Sequence, residues 1–263
     1  MSADGALANP QPKAGRQWWA LTTRGVGGLV RNGEIVLAIV APAFLAICFY
    51  LPLRSIMNAY PGMDYAQFLM PIITLQSISF VTSSAAMRSS FDRTHGINTR
   101  FRTLPMPTPV PALARMSADM VLLFAALICA TIVCLIMGWR PEGGVVGTAG
   151  LYGIAVAVGA SLALIADAIG LLANSPEATS QALALPVLIL GMLSTGFVPE
   201  SQFPDWIAPF VRNQPISQFA NAMRALNDGT ATTSVVMPAI WWCIGLFVTG
   251  LILLVLGIRR LQR

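Results

Sequence analysis

Six long apolar segments separated by shorter polar stretches dominate the pattern of this chain. A helix needs about 20 predominantly apolar residues to cross the hydrocarbon core of a bilayer. The predicted spans cover residues 34–53, 67–87, 117–138, 145–172, 181–198 and 238–258. The pattern therefore predicts an all-α membrane protein whose transmembrane domain, residues 34–258, contains six transmembrane helices.

The segment before the first predicted span has the pattern of an amphipathic helix. Three arginines share one arc of a helical wheel, and six apolar residues lie opposite them. The arginines are Arg16, Arg24 and Arg31, and the apolar residues are Trp18, Trp19, Leu21, Val26, Leu29 and Val30. Because Trp favours the headgroup region and Arg reaches lipid phosphates, residues 16–32 predict an interfacial helix. Together with a polar cytoplasmic tail, this helix makes up the N-terminal region, residues 1–33.

Composition and charge support the membrane class and indicate an orientation. Hydrophobic residues make up 56% of the chain and charged residues 10%, with a mean hydropathy of +0.69, whereas soluble domains are about 25% charged. Of the sixteen Lys and Arg residues, twelve fall in the N-terminal region, the loop between the second and third spans, and the C-terminal tail 259–263. Since cytoplasmic loops are enriched in these residues, we predict a multi-pass plasma-membrane protein with both termini cytoplasmic.

The loop between the second and third predicted spans is rich in arginine and proline. Its arginines are Arg88, Arg93, Arg100, Arg102 and Arg115. Residues 91–103 predict a short polar helix, which the four following prolines end because proline lacks an N–H and clashes with the preceding turn. The loop is either an ordinary positive-inside loop or a docking segment for a cytoplasmic partner, and basic charge alone does not decide between them.

A long apolar segment, residues 199–237, lies between the fifth and sixth spans on the predicted external side. An external loop this apolar is not expected to remain in water, so we predict that it re-enters the outer leaflet. The alternative is a loop that packs on the helix tops. Five aromatic residues in this segment or just before it predict an external gate or cargo path, although an interfacial aromatic belt would explain some of them. They are Phe197, Phe203, Trp206, Phe210 and Phe219.

Several kinds of chemistry are disfavoured by what the sequence lacks. A Walker A motif requires a lysine, and the single lysine, Lys13, follows Pro12. Asp167 is the one acid placed well inside a predicted span, and we interpret it as an inner-end residue that reaches interfacial water. A proton-coupled transporter of small hydrophobic compounds is disfavoured because it needs several ionisable groups in its spans. A membrane-embedded enzyme is also disfavoured, and we predict no catalytic, cofactor or metal site.

Three stretches of the sequence resemble one family of membrane proteins. They are NGEIVLAIVAPAFLAICFYLPL (residues 32–53), FDRTHGINTRFRTLPMPTPVPALAR (residues 91–115) and LSTGFVPESQFPDWIAPFVRNQPISQFANAMRAL (residues 193–226). With the six spans, they resemble the permease subunit of ABC-2-type exporters, in particular the actinobacterial daunorubicin-resistance (DrrB-like) family. Asp92 stands where many of these permeases have Glu, which keeps the charge and shortens its reach.

The resemblance implies a permease that works with a separate cytoplasmic ATPase. Two copies of that ATPase would bind ATP and Mg, and no cofactor would bind this chain. The ATPase-coupling residues implied by the family are Asp92, Arg93, Gly96, Arg100 and Arg102. A second ABC-2 permease, a related distinct chain or another copy, is implied as a partner. The implied cargo is amphipathic, either an anthracycline-like drug or a lipid such as a phthiocerol dimycocerosate.

Overall fold

The structure is a computed structural model that describes residues 13–57, 64–107, 109–173 and 175–262. Within these residues the chain forms ten α-helices and one short 3-10 helix, Glu200–Gln202, and no strand. The α-helices are α1 (Ala14–Arg31), α2 (Glu34–Met57), α3 (Tyr65–Thr94), α4 (Ile97–Arg102), α5 (Pro109–Met137), α6 (Gly144–Leu172), α7 (Pro176–Met192), α8 (Ala208–Asn213), α9 (Pro215–Asn227) and α10 (Thr233–Gln262). The predicted polar tail, residues 1–12, lies outside the described residues.

Five of these helices are long and apolar enough to cross a membrane. The candidate spans are Glu34–Ser55, Tyr65–Thr94, Pro109–Met137, Gly144–Leu172 and Thr233–Gly257. The remaining predicted span, the fifth, corresponds to α7, which has 17 residues and a length of roughly 25 Å at 1.5 Å per residue. The all-helical membrane architecture is therefore confirmed, and the count of six spans stays a prediction.

The centre of the bundle is formed by α3 and α6, both of which are buried along most of their lengths. Three buried hydroxyl groups of α3 find partners within the helix: Thr74, Ser77 and Thr82 each donate to the carbonyl oxygen four residues earlier, at 2.8–3.1 Å. Hydrogen bonds of this kind satisfy Ser and Thr inside a helix. The apolar side chains of α2, α5 and α10 are largely exposed on the outside of the bundle, where a membrane helix meets lipid.

Glycines in α6 allow two neighbouring elements to approach its backbone. A Cβ atom at Gly147 would overlap the carbonyl oxygen of Leu226, at the end of α9. A Cβ atom at Gly170 would lie 2.7 Å from the carbonyl oxygen of Ala86 in α3. Such distances are not tolerated by real side chains, so close packing at these two places depends on glycine.

We expect Gly147→Ala to lower the free energy of unfolding by about 1–3 kcal/mol because the added methyl group must displace the end of α9. Gly153, in the same helix, is exposed and has no atom within 4 Å of a Cβ position. Gly153→Ala is therefore the matched control and is expected to leave stability unchanged or to raise it by up to about 1 kcal/mol. Unfolding of both variants by SDS titration in mixed micelles measures the difference. Equal stability of the two variants would show that α9 does not pack on Gly147.

The long helices run back and forth between two ends of the bundle. Glu34, Arg88, Arg115, Asp119 and Asp167 meet at one end, which we call the charged end. It contains the start of α2 and α5 and the end of α3 and α6. The C-terminal part of α10 also lies here, since a Cβ at its Gly257 would be 3.7 Å from Leu171 Cβ in α6. The first and last described helices are therefore at the same end.

At the charged end, α1 packs along α5. The indole Nε1 of Trp18 donates to Ser117 Oγ at 3.1 Å, and a Cβ at Gly25 would lie 3.2 Å from Ala118 Cβ. Trp19 points away from the bundle and is 64% exposed. The prediction of an N-terminal helix is confirmed, and its position in the membrane interface stays a prediction.

The opposite end is closed by the segment that follows α7. The backbone N–H of Thr195 donates to Ser217 Oγ at 3.0 Å, and Gln214 Nε2 donates to the Leu193 carbonyl at 2.5 Å. Arg224 of α9 donates to the carbonyl oxygens of Phe68 at 3.1 Å and Gly196 at 2.7 Å. Burial lowers the pKa of Arg224 to about 9, and the charge of Asp228 opposes this shift. Residues 193–227 thus pack on the helix ends, and their depth in a bilayer stays a prediction.

The predicted polar helix over residues 91–103 is wrong in its bounds. Helix α3 continues through Asp92 and Arg93 to Thr94, and a separate helix, α4, begins at Ile97. The break occurs at Gly96, whose φ of 67° lies in the left-handed region that ends helices. Asp92 and Arg93 therefore lie in the last turn of α3, where a negative charge gains nothing from the helix dipole. The four prolines were predicted to end this polar helix, but one of them, Pro109, is instead the first residue of α5.

Candidate functional site

A group of charged side chains joins three helices at the charged end. Arg88 of α3 donates from Nη2 to Asp119 Oδ1 of α5 at 2.5 Å. Its Nη1 donates to Glu34 Oε2 of α2 and to Ser84 Oγ, the latter at 2.6 Å. Ser84 in turn donates to Glu34 Oε2. One guanidinium therefore holds two carboxylates, and its planar arrangement of five N–H donors suits that task.

A second ion pair connects α5 to α6. Arg115 Nε lies 3.8 Å from Asp167 Oδ1, and the Asp167 backbone carbonyl accepts a hydrogen bond from Ser89 Oγ at 2.9 Å. Asp167 is only 2% exposed. The interpretation of Asp167 as a residue that reaches interfacial water was wrong, because α3 and α5 cover it and supply its partners.

A further expectation, that Asp167 is the one acid well inside a span, is corrected by the position of Asp119. It lies ten residues into α5 and is also 2% exposed, so Asp167 is not the only acid inside a membrane-length helix. Buried charges persist in proteins when they are paired and hydrogen-bonded, and Arg88 supplies that pairing here. Sequence reasoning missed Glu34, Arg88 and Asp119 as a set. The spacing of Ser84, Arg88 and Asp92 at intervals of four residues, which places polar groups on one face of α3, was the available signal.

The predicted ATPase-coupling residues lie next to this charged group. Asp92 is half-buried, one helical turn beyond Arg88, and lines the same space at the charged end. Arg93 donates from Nη1 to the Ala173 carbonyl at 3.1 Å, which ties α3 to the connection between α6 and α7. Gly96 forms the break before α4, and Arg100 is exposed on α4. Arg102 belongs to α4, and its side chain lies outside the described part of the structure.

The arrangement gives α4 a short mechanical path into the bundle. A displacement of α4 acts on the last turn of α3, because only His95 and Gly96 separate the two helices. That turn carries Arg93, and the preceding turn carries Arg88, which holds α2 and α5. A movement of α4 can therefore be transmitted through the charged end to the starts of α2 and α5 and to the ends of α3 and α6.

The predicted gate residues do not form one cluster. Phe197 and Phe219 are 3% and 2% exposed and belong to the core, where Phe197 stacks on Phe49 with ring centroids 4.2 Å apart. Trp206 and Phe210 point outward and are 81% and 51% exposed, and Phe203 is half-buried. The structure thus separates two structural rings from two surface rings, and the role of the set in transport stays a prediction.

Comparison with known proteins identifies the relatives of this chain. The sequence profile of the family described as ABC-2 type transporter matches residues 16–226. The doxorubicin resistance ABC transporter permease protein DrrB of Mycobacterium tuberculosis is 35% identical over 241 residues, which cover 87% of this chain and 83% of that protein. The daunorubicin resistance ABC transporter permease protein DrrB1 of Streptomyces coeruleorubidus is 30% identical over 168 residues, 64% of this chain and 59% of that protein. A third relative, the probable doxorubicin resistance permease DrrC of Mycobacterium tuberculosis, is 23% identical over 226 residues, 86% of this chain and 82% of that protein.

Proposed function

Because the chain belongs to the ABC-2 type transporter family, we propose that it is the permease subunit of an ATP-driven exporter. Its cargo is an amphipathic drug or lipid, which it moves outward across the plasma membrane. The observation that carries this proposal is the similarity to the doxorubicin resistance permease over 87% of the chain. The names of all three relatives refer to drug resistance, which supports a drug over a lipid as the cargo.

ATP hydrolysis takes place on a separate cytoplasmic subunit, which binds ATP and Mg. The sequence supports this division of labour because its only lysine, Lys13, cannot belong to a Walker A motif. The docking element is α4 with the last turn of α3. Support comes from the exposure of Arg100 on α4 and from the contacts that tie Arg88 and Arg93 to the bundle.

We expect Arg100→Glu to reduce co-purification of the ATPase subunit by at least about tenfold, since reversing a charge at a docked surface replaces attraction by repulsion. Arg100 is the residue to change because it is exposed, whereas Arg93 is bonded to Ala173 and its replacement would disturb the fold. Affinity purification of a tagged chain, with the bound ATPase quantified, gives the measurement. Arg212→Glu, at an exposed position of the opposite end, is the control and is expected to retain the ATPase. Full retention by Arg100→Glu would contradict docking at α4.

The proposed topology has six spans, with α7 as the fifth of them, and the charged end in the cytoplasm. The distribution of Lys and Arg supports the orientation, and the meeting of α1 and α10 at one end supports an even number of passes. In this arrangement residues 193–227 face the outside and re-enter the outer leaflet.

Thiol labelling tests this topology. In a variant without the native residues Cys48, Cys129, Cys134 and Cys243, we expect a cysteine at position 228 to react with a membrane-impermeant reagent on intact cells. A cysteine at position 95 is expected to react only after the cells are opened. Asp228 and His95 are both exposed, at the opposite and charged ends respectively. Labelling of position 95 on intact cells would reverse the orientation.

A second ABC-2 permease completes the proposed pathway, and a related distinct chain is favoured because the relatives named DrrB and DrrC form two separate permeases of one organism. A proton-coupled carrier is the second candidate function. The sequence disfavoured this function because it placed only one acid well inside a span. The structure buries two acids, Asp119 and Asp167, and ionisable groups inside spans are typical of proton relays. Both acids are nevertheless paired with arginines of neighbouring helices, an arrangement that also suits a purely structural ion pair.

A further inference from the structure

Helix α1 presents a group of basic side chains that the rest of the bundle does not use. Arg16, Arg24 and Arg31 lie within an arc of about 80° at 100° per residue, and all three are exposed. Lys13, just before the helix, is exposed as well, and residues 13–31 contain no acid. None of these bases forms an ion pair with a described carboxylate. We call this surface the basic arc.

An apolar edge borders the basic arc. Trp19, Val26 and Val30 follow one another at helical spacing along one side of α1, and Trp19 and Val30 are exposed. The side that faces α5 is different, since Leu29 is buried there. Only three residues after α1 ends, α2 begins at Glu34 and presents exposed apolar side chains of its own. The edge of α1 thus continues the outward apolar surface of α2.

The combination of charge and apolar edge favours a lipid surface over a soluble partner. Guanidinium groups donate charge-assisted hydrogen bonds to phosphate, and each base near an anionic leaflet adds to the attraction. Trp and Val beside the bases suit the boundary between headgroups and acyl chains. A partner that binds the basic arc alone would leave Trp19 and Val30 in water, whereas an anionic bilayer surface accepts both features.

Helix α1 also holds the connection that follows α4. Gln17 Nε2 donates to the Pro105 carbonyl at 3.1 Å, and Trp18 Nε1 donates to Ser117 Oγ of α5 at 3.1 Å. Pro105 lies three residues beyond the end of α4. Gln17 comes directly after Arg16, so a headgroup bound at Arg16 fixes the part of α1 that holds this connection.

We propose that the basic arc of α1 binds the headgroups of anionic lipids, and that bound lipid restrains α4 through the hydrogen bond from Gln17 to Pro105. The membrane then holds in place the helix that is proposed to contact the ATPase, and removal of anionic lipid frees it. Lipid binding and the restraint are properties of this chain alone. Only their effect on export rests on the proposed function.

Electron paramagnetic resonance of spin-labelled lipids tests the binding. The full chain is placed in phosphatidylcholine bilayers with a trace of spin-labelled phosphatidylglycerol or phosphatidylcholine, and the motionally restricted fraction of each label is compared. Averaged over the lipid shell, we expect a preference for phosphatidylglycerol of at least about twofold. The preference is expected to vanish in about 1 M salt, where the screening length falls to about 3 Å. Equal restriction of the two labels at low salt would overturn the proposal.

Charge removal locates the binding. The combined variant Arg16→Gln, Arg24→Gln and Arg31→Gln keeps polar side chains at exposed positions and is expected to abolish the lipid preference. Arg54→Gln with Arg212→Gln, at exposed positions of the opposite end, is the control and is expected to retain it. An equal loss in the control would overturn the basic arc as the site. An unchanged lipid preference with loss of the co-purified ATPase would assign the arc to that protein instead.

A spin label on α4 tests the restraint. Thr99 is exposed on α4, and Thr99→Cys in a chain without the native cysteines carries the label. We expect slower motion of the label in bilayers that contain phosphatidylglycerol than in pure phosphatidylcholine. Gln17→Ala is expected to remove this difference while the lipid preference persists, and Thr23→Ala, at an exposed position of the same helix, is expected to keep both.

Equal motion of the Thr99→Cys label in the two bilayers, or a difference that survives Gln17→Ala, would overturn the restraint. The comparison of lipid labels on the native chain remains decisive if a variant does not fold. Neither ATP nor the ATPase is present in the measurements with spin labels. Their failure would therefore leave the proposed export function intact, and failure of the chain to pair with an ATPase would leave the lipid result intact.

Discussion

We expect Arg88→Met to lower the free energy of unfolding of the chain by about 3 kcal/mol or more. Removing the guanidinium leaves Glu34 and Asp119 close together without their shared cation, and Asp119 is 2% exposed. An unpaired carboxylate at such a site must either remain charged at high cost or take up a proton. Unfolding by SDS titration in mixed micelles provides the free energy.

A double-mutant cycle separates this effect from the loss of a long side chain. Asp119→Asn removes one of the two charges left behind, so Arg88→Met combined with Asp119→Asn is expected to be more stable than the sum of the single changes indicates. Arg212→Met is the control, since the Arg212–Glu200 pair is exposed and such pairs contribute at most about 1 kcal/mol. Strict additivity in the cycle, or an equal loss in the control, would contradict a structural role of the Arg88 group.

Phe219 and Phe210 are expected to differ greatly in the stability lost on substitution by Ala. Phe219→Ala removes a ring that is 2% exposed and is expected to destabilise the chain by about 3–5 kcal/mol. Phe210→Ala, at a ring that is 51% exposed, is expected to change stability by less than about 0.5 kcal/mol. Each ring therefore serves as the control for the other in the SDS titration.

Transport then separates the surface role of Phe210 from the core role of Phe219. If residues 193–227 line the exit, Phe210→Ala changes the rate of export or the preference among cargoes while binding of the ATPase is retained. Wild-type export by Phe210→Ala for every cargo tested would remove that residue from the path. A stable Phe219→Ala chain would contradict the core packing of α9.

The long helices were predictable because side chains that contact lipid are apolar and therefore raise the hydropathy of the segment that contains them. Helices α2, α5 and α10 present their apolar side chains outward, and their segments were predicted within eight residues at either end. The fifth span was harder. The segment predicted as this span, residues 181–198, forms the helix α7 over Pro176–Met192, because Ser175 caps its start and because Ser217 and Gln214 hold residues 193–195 in a turn.

The charged end was not predictable from local sequence because its partners are far apart in the chain. Arg88 is 54 residues from Glu34 and 31 from Asp119, and only the packing of α2, α3 and α5 brings them together. Arg88 also lowers the local hydropathy, so the predicted second span ended at Met87 and placed Arg88 in a loop. In the structure α3 continues to Thr94, and Asp119 and Glu34 pair with the charge of Arg88.

The segment with the predicted coupling residues, 92–102, was likewise only partly predictable from the local sequence. The residues Asp92, Arg93, Gly96 and Arg100 were predicted to couple to the ATPase from a resemblance to a family, and that role stays a prediction; the structure places them in the last turn of α3, between α3 and α4, and on α4. Their helical register was not found, since it depends on a single left-handed residue, Gly96. The orientation of the aromatic residues likewise required tertiary contacts, because an isolated pattern does not distinguish Phe219 in the core from Phe210 on the surface.

Cargo uptake by inverted membrane vesicles tests most directly whether this chain is an ATP-driven permease. The vesicles contain the chain with its ATPase subunit and second permease, and the fluorescence of an anthracycline reports accumulation. We expect accumulation that requires hydrolysable ATP, persists when a protonophore abolishes the proton gradient, and is lost in Arg100→Glu. Accumulation that needs a proton gradient and proceeds without ATP would contradict the ABC exporter function and support the proton-coupled alternative.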